Sequence, residues 1–81
     1  MKSNMPWRYL TVSETMDNPE LGRYDTYGIQ AKRRVLHGWE QIELIHDVTT
    51  DRKFADLLVN LFNRRQLSSI HLRDALEDML P

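Results

Sequence analysis

Imidazole beside carboxylate is the pairing in this sequence most able to do chemistry. The histidines are His37, His46 and His71, with Asp47 adjoining His46 and with Asp74 and Asp78 three and seven positions after His71. Such donors hold zinc or move protons. On a helix, His71, Asp74 and Asp78 share one face. No histidine has another three or four positions away, and the three fall in three different segments. A solvated helix face is therefore the expectation, and a His/carboxylate metal-binding protein is the remote alternative.

Nucleophilic chemistry has less to stand on. Ser13, Ser68 and Ser69 have no activating context, and Ser68 suits a helix cap. There is no cysteine, and the three glycines, 22, 28 and 38, make no phosphate loop. The adjacent Glu77 and Asp78 point about 100° apart on a helix. The expectation is a protein that is not an enzyme and needs no cofactor.

Binding chemistry is better represented. Lys32-Arg33-Arg34 is the densest basic run, and Trp7, Tyr9, Tyr24, Tyr27 and Trp39 are five of the seven aromatics. In a strand, Lys32 and Arg34 share a face with Gln30, and Arg33 turns to the side of Ala31 and Ile29. If Leu10 and Val12 face the core, Trp7 and Tyr9 face outward with Tyr24. Exposed Trp and Tyr ringed by Lys and Arg suit a protein interface. The expected partner-binding set is Trp7, Tyr9, Tyr24, Lys32, Arg34 and Trp39. Ile70 is added because it projects away from its helix stripe, where either the preceding turn or a partner covers it. The same rings and cations could hold single-stranded nucleic acid, which is the alternative reading.

The whole chain constrains these readings. Twelve acidic and eleven basic residues in 81 leave a formal charge of −1, a weak basis for nucleic-acid or membrane attraction. The balance hides a gradient of +2 over residues 1–38, −1 over 39–66 and −2 over 67–81. No apolar run nears the ~20 residues that span a bilayer, and residues 1–6 lack the apolar stretch of a secretory signal. A single cytoplasmic domain over residues 1–81 is the expectation.

Alternation predicts three strands within residues 7–48, and a Pro/Gly turn at 17–22 and Leu36-His37-Gly38 connect them. The pattern places Ile42, Leu44, His46 and Val48 together on the third strand. The period then becomes helical. Phe54, Leu57, Leu58, Leu61 and Phe62 form a stripe over 50–65, flanked by Ala55 and Val59 and capped by Thr49 or Thr50. A second helix over 68–80 has Ser68 as cap, Leu67 and Leu72 as staple, and a stripe of Leu72, Ala75, Leu76, Met79 and Leu80. These elements predict an α+β fold: a three-stranded antiparallel meander, then two helices packed on one sheet face (β-β-β-α-α). The wider stripe of the first helix should touch sheet and second helix, leaving the second peripheral.

Tyr27-Gly28-Ile29, Ile45-His46-Asp47-Val48-Thr49, Leu67-Ser68-Ser69-Ile70-His71-Leu72 and Glu77-Asp78-Met79-Leu80 together resemble a family of short, uncharacterised bacterial proteins, mainly from Gram-positive anaerobes. The resemblance covers about residues 24–80 and implies a bacterial or phage origin and one small domain. It implies no activity and no catalytic residue. The expected function is thus a small regulatory protein that binds a protein partner, or a second copy of itself, through an open aromatic and basic sheet face. A phage-type inhibitor of a bacterial defence nuclease belongs to this class.

Overall fold

Residues rich in Thr, Val, Ile, Tyr and Trp favour a pleated surface, and they fill three long strands. These are β1 (Trp7–Asn18), β2 (Gly22–Val35) and β3 (Gly38–Thr49). In the computed structural model, which describes residues 5–80, they form one antiparallel sheet in the order β1-β2-β3. Helix α1 (Arg52–Arg65), a 3-10 turn (Ser69–His71) and helix α2 (Leu72–Met79) follow. The architecture is the expected β-β-β-α-α. The ends of the expected domain, residues 1–4 and 81, lie outside the described residues. Among the described residues no helix is long and apolar enough to cross a membrane.

Turn chemistry fixes both hairpins. Asn18 Oδ1 accepts the amides of Glu20 and Leu21 at 2.8 and 2.9 Å, and Gly22 takes a φ of 79°. At the other tip, Leu36 and His37 connect Val35 to Gly38, whose φ of 147° suits only glycine.

Register decides which side of each strand meets the helices. Tyr9 pairs with Ala31, Thr11 with Ile29, Ile29 with Ile45, and Ala31 with Glu43, so these side chains share the helix side. The core joins Tyr9, Ile29 and Ala31 to Leu58, Val59 and Phe62 of α1 and Leu72 and Leu76 of α2.

This corrects two expectations. On β1 it is Tyr9 that is fully buried, while Leu10 lies on the opposite face, 38% exposed. On β3, Ile42 and Leu44 share a side as expected, but it is the side away from the helices, with Trp39 and Gln41; Ile45 and Val48 pack against the core, so Val48 leaves the expected group. An irregularity between Ala31 and Lys32 gives β3 an extra residue at Ile42, which reverses its alternation. Both strands carry apolar residues on both parities, so burial was settled by pairing with β2.

α1 is rotated relative to its expected stripe. Ala55, Leu58, Val59 and Phe62 are buried, but Leu57 is 66% exposed. Asp56 and Asn63, on one flank of the buried arc, both reach β1, and this turns Leu57 to the other flank. The N-cap is Asp51, not Thr49 or Thr50. Its carboxylate accepts from Lys53 and Phe54, while Thr49 Oγ1 accepts the Asp51 amide at 3.1 Å. Ser68 makes no side-chain cap bond and opens the 3-10 turn, so α2 proper begins at Leu72. Leu67 and Leu72 nevertheless both contribute to the core.

The sheet outreaches its helices. Fourteen residues of β2 extend about 46 Å as a strand, whereas fourteen of α1 rise about 21 Å. β3 pairs with β2 only between Tyr27 and Val35, so beyond Tyr27 the β1–β2 hairpin is a two-stranded ribbon.

Candidate interaction surface

With the helices on one side, alternate residues of all three strands form a face that no other described element covers. Direct pairs define it: Arg8 with Lys32, Leu10 with Gln30, Val12 with Gly28 on β1–β2, and Lys32 with Gln41, Gln30 with Leu44, Arg34 with Trp39 on β2–β3. Leu10, Val12, Ile42 and Leu44 give its middle an aliphatic character. Ile42 and Leu10 are each more than a third exposed. A bond between the Gln30 and Gln41 side-chain amides crosses the middle.

One end of the face is cationic and aromatic. The Arg8 and Arg34 guanidiniums sit 4.6 and 5.1 Å from the centroid of the Trp39 ring. Such contacts orient the ring and hold two charges close to it. Lys32 adds a third cation in the adjoining row. A hollow of about 400 Å³ lies along the β1 edge at this end, walled by Arg8, Leu10, Arg34 and Trp39 from the open face and by Trp7, Tyr9, Asn63 and Gln66 from the helix side.

The other end is a polar network built around Gly28. A Cβ at residue 28 would lie 2.5 Å from the Ile45 carbonyl oxygen and 2.9 Å from Glu14 Oε1. That gap lets Glu14 lean across β2 to β3. There it meets His46 Nδ1 and accepts the Asp47 amide at 3.0 Å. Asp47 holds a left-handed φ of 54° at a break in the β2–β3 register. Its carboxylate accepts the Thr26 hydroxyl at 2.7 Å and the Tyr24 hydroxyl at 2.8 Å. The bond to Asp47, and secondarily burial and the Asp47 charge, raises the Tyr24 pKa above its ordinary value. The network fastens three strands.

The structure therefore regroups the expected set. Lys32, Arg34 and Trp39 lie together on the open face, joined by Arg8. Tyr24 is on the same face but at its polar end. Tyr9 is removed from the surface: its ring meets Phe62 edge-on at 5.5 Å, and its hydroxyl donates to the Leu67 carbonyl at 2.7 Å. Trp7 packs against the core from the helix side. Ile70 is 75% exposed, so the turn leaves it uncovered, but it lies in the helical layer across the sheet from the face. His37 and His71 are exposed at separate points. Among the described residues no three His, Asp or Glu side chains gather as metal ligands.

Leu10, Val12, Ile42, Leu44 and Arg8 belong to the face and were not singled out from sequence. The usable signal for β1 was Asn63 and Gln66. Two amides three apart near a helix end can pair with a strand edge, and they do. Asn63 accepts the Tyr9 amide at 2.7 Å and donates to its carbonyl at 2.9 Å, and Gln66 treats Trp7 likewise at 2.9 Å each.

Fold and surface together define a small α+β protein with one sheet face that no described element covers. The chain matches, over residues 2–81, a family described as a family of unknown function (DUF6514), and it belongs to that family. No curated protein and no solved structure matches it.

Proposed function

We propose that this protein is a non-catalytic, cytoplasmic interaction module that binds a protein partner through its open sheet face. The observation that carries the reading is the aliphatic group Leu10, Val12, Ile42 and Leu44, with Leu10 and Ile42 exposed and the other two half-buried, beside Trp39 and three cations. Burial of apolar area supplies affinity, and Arg8, Lys32 and Arg34 around the rim steer and orient. With Tyr9 in the core and Trp39 already covered by two guanidiniums, few rings are free to stack with bases, so a protein is favoured over single-stranded nucleic acid.

The test uses Leu10→Glu with Leu44→Glu in the full chain. Capture of a partner from bacterial lysate, or a concentration-dependent dimer mass in light scattering, should be abolished while the melting temperature stays near wild type. Loss of folding in the double variant would show the two leucines to be structural and would end the proposal. Binding to single-stranded DNA that collapses with salt and with Lys32→Glu/Arg34→Glu would replace it with the nucleic-acid reading.

A further inference from the structure

We infer that the free edge of β1, from Ser13 to Asp17, is a strand-addition site for a basic, extended segment of another protein. An edge strand turns the N–H and C=O of alternate residues outward, where they form a template for a further strand. The outward set on β1 contains Trp7 and Tyr9, because Gln66 and Asn63 take both peptide groups of each. Register with β2 runs unbroken to Asn18, so Thr11, Ser13, Thr15 and Asp17 belong to the same set. α1 reaches β1 last at Thr11, whose hydroxyl donates to Asp56 at 2.7 Å. Ser13, Thr15 and Asp17 are exposed. Among the described residues no hydrogen bond reaches their outward peptide groups.

The edge is thus shielded at Trp7 and Tyr9, two of its six outward residues, by side-chain amides that imitate a fourth strand, and the imitation stops before the hairpin projects. Ser13–Asp17 contains no Lys, no Pro and no bulge, the devices that commonly blunt an edge. Charge selects the occupant. Residues 13–25 carry Glu14, Asp17, Glu20 and Asp25 against Arg23, a net −3; Glu14 is engaged on the open face by Asp47 and Arg23 sits 3.4 Å from Asp17, so the exposed groups here sum to −2. Two copies pairing here would set like charges against each other. A strand bearing Lys or Arg gains complementary charge as well as main-chain bonds to Ser13, Thr15 and Asp17. This surface is separate from the open sheet face, so Leu10→Glu/Leu44→Glu should leave it intact, and either proposal can fail alone.

The experiment pans the full chain against a random short-peptide library, then titrates enriched peptides into the isotope-labelled protein by NMR. Enriched peptides should be rich in Lys and Arg and should shift and protect the amides of Ser13, Thr15 and Asp17. Their affinity should fall by about tenfold or more at high salt and in Asp17→Lys/Asp25→Lys. Thr15→Pro should abolish binding, because it removes an outward N–H that the β1–β2 ladder does not use. If Thr15→Pro disturbs the hairpin, the charge variant alone decides. Absence of enrichment, neutral or acidic peptides, or a footprint elsewhere would overturn the inference. So would a dimer of the full chain dissolved by Thr15→Pro, which would make a second copy the occupant.

Discussion

Tyr9 shows how one residue links sheet, helix and chain reversal. Its ring fills the core against Phe62, and its hydroxyl satisfies the Leu67 carbonyl just past α1. Burial, with the Glu43 charge as a lesser cause, pushes its pKa up to about 12 from an ordinary 10.0. The unfolded chain therefore releases this proton earlier than the folded one as pH rises. The protonated phenol contributes stability that is complete below pH 10.0 and is lost as pH climbs to about 12. Tyr9→Phe should lower stability by about 1 kcal/mol at neutral pH through the lost hydrogen bond. It should also flatten the alkaline fall of urea-unfolding stability. An unchanged alkaline slope would place its origin in another group. Gly28 is a second residue that works by geometry, since only a missing side chain lets Glu14 cross to Asp47.

At the scale of elements, α1 does more than cover the sheet. Its C-terminal turn closes with Gln66 in the left-handed region at φ 51°, where glycine is the usual occupant. The Leu67 amide donates to the Phe62 carbonyl at 3.1 Å, and the Gln66 side chain takes the Trp7 peptide groups and the Asn63 carbonyl. Glutamine stands there because the turn aims its amide at the strand edge. Asn63→Ala and Gln66→Ala should each destabilise by about 1–2 kcal/mol and raise concentration-dependent association, since both uncover edge backbone. Urea unfolding and light scattering measure the two effects. Gln66→Gly separates them: it relieves the backbone but loses the amide, so a net gain in stability would show the edge pairing to be worth less than the strain.

Across the whole molecule, a 51 Å long axis follows the sheet, and the core occupies only its helix-covered part. Amides in the ribbon between Glu14 and Thr26 should exchange with solvent well ahead of those at Ile29 and Ala31, because two strands without a packed face open locally. Equal protection along β1 and β2 by hydrogen-exchange NMR would contradict this. Three strands, two helices and their order were legible because period 2 gives way to period 3.6 after Thr49 and because Asn-Pro and Gly punctuate the turns. The inner residues of β2, Ile29 and Ala31, were legible for the same reason. Which face of β1 and β3 is buried was not, since Trp7 and Tyr9 compete with Leu10 and Val12, and Ile45 with Ile42 and Leu44. Local pattern alone determined the elements, as each needs only its own periodicity and caps. The tertiary structure decided the exposed surface: one register and one extra residue in β3 set parity, and parity in a strand moves every side chain at once.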